Sequence, residues 1–242
     1  MITIKELKKS FNGLEVLRGV NLLIPEGKVT FIMGQSGTGK SVLLKHIVGL
    51  LKPDSGEIWF ENKDITKLSE KELQKIRRKI GFLFQEGALF DSMTVKENVM
   101  FPLKEHFKMP KSEIEKTAEE LLSAVDLLSA KDKYPSELSG GMKKRAALAR
   151  TLALRPQVVL FDEPTTGLDP ILQVSILDLI KNLKEKYNLT CVIVSHDLNL
   201  AFKFADYIAF LHEGVIIEVG TPEEVKASTN EFVKKFVESS SI

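Results

Sequence analysis

Gly34-Gln35-Ser36-Gly37-Thr38-Gly39-Lys40-Ser41 fits the pattern G-x-x-x-x-G-K-S without a mismatch. Glycines at these positions let the backbone bend tightly enough for several N–H groups to converge on phosphate oxygens. The flanking residues supply the context the pattern needs. Val29 to Met33 is an apolar run that reads as a strand, and Val42 to Val48 continues as a helix. The positive end of that helix favours an anion. Lys40 is placed to reach the β- and γ-phosphates, and the Ser41 hydroxyl to ligate Mg²⁺.

Outward from this loop, two further apolar runs read as central strands covered on both faces: Val158 to Phe161, and Cys191 to Val194. The first ends in Asp162-Glu163. A carboxylate at the end of a parallel strand can hold Mg²⁺ beside the phosphate loop, and the acid after it can orient and polarise water. Upstream, Met1 to Lys5, Val16 to Ile24 and Gly56 to Phe60 read as strands, the last entered by the turn Pro53-Asp54-Ser55-Gly56. Between about Phe90 and Arg150 the pattern turns helical. Ile114, Ala118, Leu121, Leu122, Val125 and Leu128 form one apolar stripe, and Ser112 with Glu115 spells a capping box. The expected fold is α/β: a P-loop core with a mainly parallel sheet and an antiparallel N-terminal part. A helical subdomain is inserted over residues 90–150 of a single domain spanning 1–242, and residues 221–242 form a short tail. In that tail Glu231 to Val237 reads as an amphipathic helix ahead of a frayed Ser-rich end.

Composition narrows the class. The 34 basic and 33 acidic residues of the 242-residue chain leave a net charge of +1, with no basic stripe, so nucleic acid is not an expected partner. The single cysteine, Cys191, excludes an intrachain disulfide framework and lies in an apolar run where a buried, inert thiol is expected. The stretch Met1 to Lys5 lacks the basic-then-apolar pattern of a secretory signal, and no apolar run approaches the roughly 18 residues of a membrane span. A cytoplasmic chain is expected, with any membrane role reached through a partner.

Leu138-Ser139-Gly140-Gly141-Met142 opens a helix with Ser139 as its N-cap and two glycines that leave the first N–H groups open to an anion. With the phosphate loop, the Asp-Glu pair and a later His, it resembles the ATP-binding-cassette ATPases from about Ile2 to Gly220. The resemblance implies two copies of the chain sandwiching two ATP molecules, each between one copy's phosphate loop and the other's Ser139, Gly140 and Gly141. It further implies that Gln85 senses Mg²⁺ and the attacking water, and that Asp169 acts across the dimer. It also implies that His196 contacts the γ-phosphate and that Phe11 stacks on adenine. ATP and Mg²⁺ are the implied cofactors. Glu163, His196 and Gln85 are the implied catalytic residues, and Ser41, Gln85 and Asp162 the implied metal ligands. Met142 departs from the Gln with which this signature ordinarily ends.

Leu138 to Arg145, read with Phe84-Gln85-Glu86-Gly87-Ala88-Leu89-Phe90, resembles the ATPase subunits of Mla-type, Mce-associated lipid transporters. That resemblance implies two copies beneath two integral-membrane permease subunits, on the inner face of the membrane. A permease helix would dock near residues 85–102, where Leu89, Phe90, Met93 and Phe101 are the apolar candidates for that contact; packing of the helical subdomain is the other reading of those four residues. Energising another transporter, for an amino acid or other small solute, is the alternative, as is a soluble cofactor-assembly ATPase. Long heptad arms and a second cassette, which chromosome-maintenance and translation ATPases need, are absent from the sequence. Glu163 and His196 disfavour a nucleotide-gated subunit without turnover.

Overall fold

The computed structural model describes residues 1–239. In chain order the first elements are β1 (Ile2–Phe11), β2 (Leu14–Ile24), β3 (Val29–Met33), α1 (Lys40–Ile47), β4 (Ser55–Phe60), β5 (Lys63–Asp64) and α2 (Glu70–Arg77). There follow β6 (Ile80–Leu83), α3 (Val95–His106), α4 (Lys111–Ala124), α5 (Gly140–Leu152), β7 (Val158–Asp162) and α6 (Pro170–Tyr187). The last are β8 (Thr190–Ser195), α7 (Leu198–Phe204), β9 (Tyr207–His212), β10 (Val215–Gly220), α8 (Pro222–Lys226) and α9 (Glu231–Ser239). They form two compact units, one of Met1–Arg77 with Thr190–Ile242, the other of Arg78–Leu189.

The first unit is α/β, with one antiparallel sheet and one mixed run of strands. Strands β2-β1-β4-β5 lie side by side, and β1 pairs antiparallel with both β2 and β4. Asn12 and Gly13, with φ of 50° and 82°, join β1 to β2, so Phe11 faces Leu14 across a two-residue hairpin. Both positions need a left-handed backbone, which Asn and Gly adopt at least cost. In the other run, β3 lies between β8 and β9, parallel to each, and β10 closes antiparallel on β9. All five residues of β3 and all six of β8 are buried, Cys191 among them. An unbroken apolar run suits a strand covered on both faces.

The second unit holds the parallel pair β6 and β7, with α3, α4 and α5 packed on one another. Helix α3 begins at a capping box in which Thr94 accepts from the Glu97 amide and Glu97 from the Thr94 amide, a device worth about 1 kcal/mol. The box expected at Ser112 and Glu115 does not form: α4 starts two residues earlier, with Pro110 at the cap position and no side-chain cap. Proline's fixed φ sets the helix entry there, and Ser112 falls inside the first turn. Along the expected stripe Ile114, Ala118, Leu121, Leu122 and Val125 are buried, but Leu128 is 40% exposed. Helix α4 ends at Ala124, so the period breaks, and Leu127 takes the buried position instead. The tail helix forms as α9, burying Val233 and packing Phe232 and Phe236 against His212 and Phe210 of β9. Of the Ser-rich end, residues 240–242 lie outside the described residues.

Candidate functional site

In the first unit the phosphate loop leaves the end of β3 and runs into α1. Gly39 is the N-cap of α1 with φ 96° and no side-chain cap, so the first amides of the helix stay available to a ligand. A Cβ on Gly34 would come within 2.4 Å of the Leu211 carbonyl oxygen, and one on Gly39 within 2.9 Å of Val16. No larger residue fits either place. Thr38 ties the loop to itself, its hydroxyl donating to the Gln35 carbonyl at 2.9 Å. The Lys40 ammonium, 5% exposed, donates to the carbonyls of Gly34 and Gln35 at 2.8 and 2.7 Å. It is thereby held inside the loop, where its charge adds to the positive end of α1.

A cavity of about 460 Å³ is floored by Gln35, Ser36, Gly37 and Thr38 and walled by Leu14 to Val16, Arg18 and His212 to Gly214. That volume suits a small molecule. Phe11, 39% exposed, precedes the Leu14 wall across the hairpin turn, with the Lys9 ammonium 5.4 Å from its ring centre. The walls at Arg18 and His212 to Gly214 carry no sequence motif; the Arg18 amide reaches the Gly214 carbonyl only because the two hairpins meet. His196 is exposed in the turn after β8. Asp197 locks that turn: its amide donates to the Ser195 hydroxyl at 3.0 Å and its carboxylate accepts from Leu200 to start α7.

The second unit repeats this logic. Leu83 pairs with Phe161 at the carboxyl ends of the parallel strands β6 and β7. The next residues, Phe84-Gln85 and Asp162-Glu163, therefore leave neighbouring strands at one level. Asp162 is the last residue of β7 and is 7% exposed. Glu163 follows with φ 49°, a left-handed backbone that a non-glycine residue adopts only where its surroundings impose it. Thr166 holds the Glu163 carboxylate, its hydroxyl donating at 2.7 Å.

Ser139 caps α5 as expected, accepting from the Met142 amide at 3.4 Å. Ser139 and Gly140 are exposed, and Gly141 is buried with room for a Cβ only against Leu172, 3.6 Å away. Asp169 carries an ordinary structural duty: its carboxylate caps α6 through the amides of Ile171 and Leu172 at 3.1 and 3.0 Å. Two large apolar residues beside it face outward, Ile171 at 82% and Leu172 at 39% exposed. Gln85 is exposed, in a loop whose carbonyls are held by Lys144 and Arg150. Those two cations were not apparent as site residues; the only hint was a charge at positions of α5 flanked by Ala146 to Ala149.

Two observations bear on metal and membrane. Among the described residues no three His, Cys, Asp or Glu side chains are grouped to hold an ion. No helix of the described residues is long and apolar enough to cross a membrane.

Residues 17–166 match the family model described as ABC transporter. Over 241 residues the chain is 44% identical to the intermembrane phospholipid transport system ATP-binding protein MlaF of Haemophilus influenzae, covering 100% of this chain and 91% of that protein. It is 42% identical to the probable ribonucleotide transport ATP-binding protein mkl of Mycobacterium leprae, over 98% of this chain and 68% of that one. Among solved structures it resembles a dimeric ATP-binding cassette in a post-hydrolysis state with ADP and Pi, at 38% identity and a TM-score of 0.85. That match covers 92% of this chain and 99% of the other.

Proposed function

The chain belongs to the ABC transporter family as one of its ATP-hydrolysing subunits, and from that premise we propose that it powers the movement of phospholipid through a membrane permease. The observation that carries the lipid reading is its 44% identity to a phospholipid-transport ATPase across 100% of its own length. Leu138-Ser139-Gly140-Gly141-Met142-Lys143-Lys144-Arg145 adds to it. The comparable identity to a relative named for ribonucleotide transport supports a second reading, in which another solute is moved.

In the proposed reaction the loop amides of Gly34 to Gly39 and the Lys40 ammonium bind the β- and γ-phosphates, with Phe11 against the adenine. Glu163 orients and polarises the attacking water. His196 contacts the γ-phosphate, and Gln85 follows the state of the metal and water. Mg²⁺ fits the donors available: Ser41, Asp162 and Gln85 offer hard oxygen atoms, and phosphate and water would supply its other ligands. When bound, it neutralises charge on the transferred phosphoryl group.

Two copies act together in this reading. Ser139, Gly140 and Gly141 of one copy complete the phosphate site of the other, and Asp169 lies at their junction. Exposed Ile171 and Leu172 beside Asp169 support a covered surface there. The helical stretch 90–150 serves as a subdomain facing the permease, docked near residues 85–102. Phe90 is 42% exposed and stacks edge-on against Phe101 at 4.9 Å, which leaves an aromatic edge for a permease helix. The chain is then held peripherally at the inner face of the membrane.

The test is reconstitution with the permease that copurifies, following labelled phospholipid under ATP. Transfer by the wild type and none by Glu163→Gln supports the proposal. ATP-driven uptake of a nucleotide, amino acid or metal ion without lipid movement overturns it in favour of the second reading.

A further inference from the structure

Helix α5 lies along β6 and the loop that follows it. Thr151 stands under Gly81, where an added Cβ would meet its methyl group at 2.7 Å, and Ala147 stands 3.1 Å from a Cβ built on Gly87. From the same helix Lys144, 9% exposed, donates its ammonium to the Gln85 carbonyl. Arg150 donates to two more carbonyls, Gly87 at 2.9 Å and Ala88 at 2.7 Å. Its guanidinium also lies 5.7 Å from the centre of the Phe90 ring. Gly87 and Ala88 both have left-handed backbones, φ 76° and 50°. For Ala88 that backbone is strained, and the charge-assisted bonds from Arg150 hold it there. Asn98 of α3 secures the far end, accepting from the Phe90 amide and donating to the carbonyls of Phe90 and Met93.

The cations are expensive to bury. Burial pushes the Lys144 ammonium below the ordinary lysine range, with Glu86 and Glu163 pulling it back, and burial pushes the Arg150 guanidinium down as well. Carbonyl partners offset such desolvation incompletely, so stability alone gives little reason for one buried and one half-buried charge here. What they do provide is rigidity between one helix and one loop. The helix begins at Ser139 and the loop begins at Gln85.

We propose that Lys144 and Arg150 are positioning residues for ATP hydrolysis, strapping the Gln85–Phe90 loop to the helix that starts at Ser139 so that the two move as one body. This rests on the roles assigned above to Ser139 and Gln85. A displacement of α5 by nucleotide carries the Gln85 backbone with it, and carries Phe90 along through Arg150.

The test is a double-mutant cycle on the full chain, reading kcat and KM for ATP separately. Lys144→Gln should lower kcat roughly tenfold, within the range for residues that carry coupling, and leave KM within about twofold. Lys144→Arg should restore most of the rate. In a Gln85→Ala background Lys144→Gln should add almost nothing, since both act through one group. Arg150→Lys should raise amide exchange across residues 85–90 without changing that of β7. Full additivity of Lys144→Gln with Gln85→Ala, or unchanged kcat in Lys144→Gln, overturns the strap. Should Lys144→Gln fail to fold, the Arg150→Lys exchange pattern decides. Failure of the underlying ATPase assignment looks different: the wild type itself would show no turnover that Glu163→Gln abolishes.

Discussion

Met33 at the end of β3 pairs in register with Ser195 at the end of β8, so Gly34 and His196 leave adjacent parallel strands at the same level. The phosphate loop and the histidine are thus fixed by one ladder, though they lie far apart in the chain. Their roles should separate. Lys40→Ala should weaken ATP binding at least tenfold, because it removes the cation aimed at the terminal phosphates. His196→Ala should keep binding and lose most turnover. Titration with a fluorescent ATP analogue beside a phosphate-release assay distinguishes them, and equal loss of binding in both would contradict the assignment.

Nucleotide should control assembly. Glu163→Gln should bind ATP without hydrolysing it, and light scattering should show its mass doubling with Mg-ATP and remaining single without. Replacing Ile171 by Asp in that variant should prevent the doubling, since Ile171 is 82% exposed and has no structural duty a charge would break. A mass unaffected by the Asp would move the interface elsewhere.

The loop glycines should differ in cost. A Cβ on Gly34 meets a backbone oxygen at 2.4 Å that cannot swing aside, so Gly34→Ala should destabilise by about 3 kcal/mol, the upper end for overpacking. Gly37 has φ 80° with open space around it, so Gly37→Ala should cost only about 1 kcal/mol of backbone strain. Urea unfolding of the two variants settles the order.

His46 should make stability fall in acid. The ring is 1% exposed, Nδ1 lies 2.7 Å from the Val42 carbonyl, and Nε2 is buried without a partner. Burial lowers its pKa from the ordinary 6.5, with the Val42 carbonyl and Asp54 opposing and Lys9 assisting. The unfolded chain therefore binds the proton more readily. Stability from the neutral ring is fully present above the unfolded pKa and is lost as pH falls through the folded one. Tm should drop as the pH falls below the ordinary imidazole value of 6.5, and His46→Gln should flatten that slope. An identical slope in the variant would assign the acid sensitivity to other groups.

Local signals carried much of this protein. The phosphate loop, the strand before it and the helix after it were legible because glycine, Lys-Ser and an apolar run each constrain neighbours within a few residues. The same holds for Ser139, whose capping of α5 needs only three residues, and for the buried strands around Cys191 and Phe161. Where a pattern depended on where a helix stops, local reading failed. Ser112 lost its cap position to Pro110, whose fixed φ sets the helix entry, and Leu128 lost its buried place to Leu127 because α4 ends at Ala124. Asp169, expected from its motif to act across the dimer, also caps α6 with its carboxylate.

The sequence by itself determined that a glycine-rich loop would lead from a buried strand into a helix at Gly34 to Ser41 and that an Asp-Glu pair would end a strand, since each is a contiguous stretch whose backbone chemistry is self-contained. Only the tertiary structure decided that Lys144 and Arg150 reach the loop at Gln85 to Ala88, 59 and 62–63 residues away. A backbone carbonyl has no identity in a sequence. Which cation meets it depends on how α5 is laid along β6, and that is settled by packing over the whole unit.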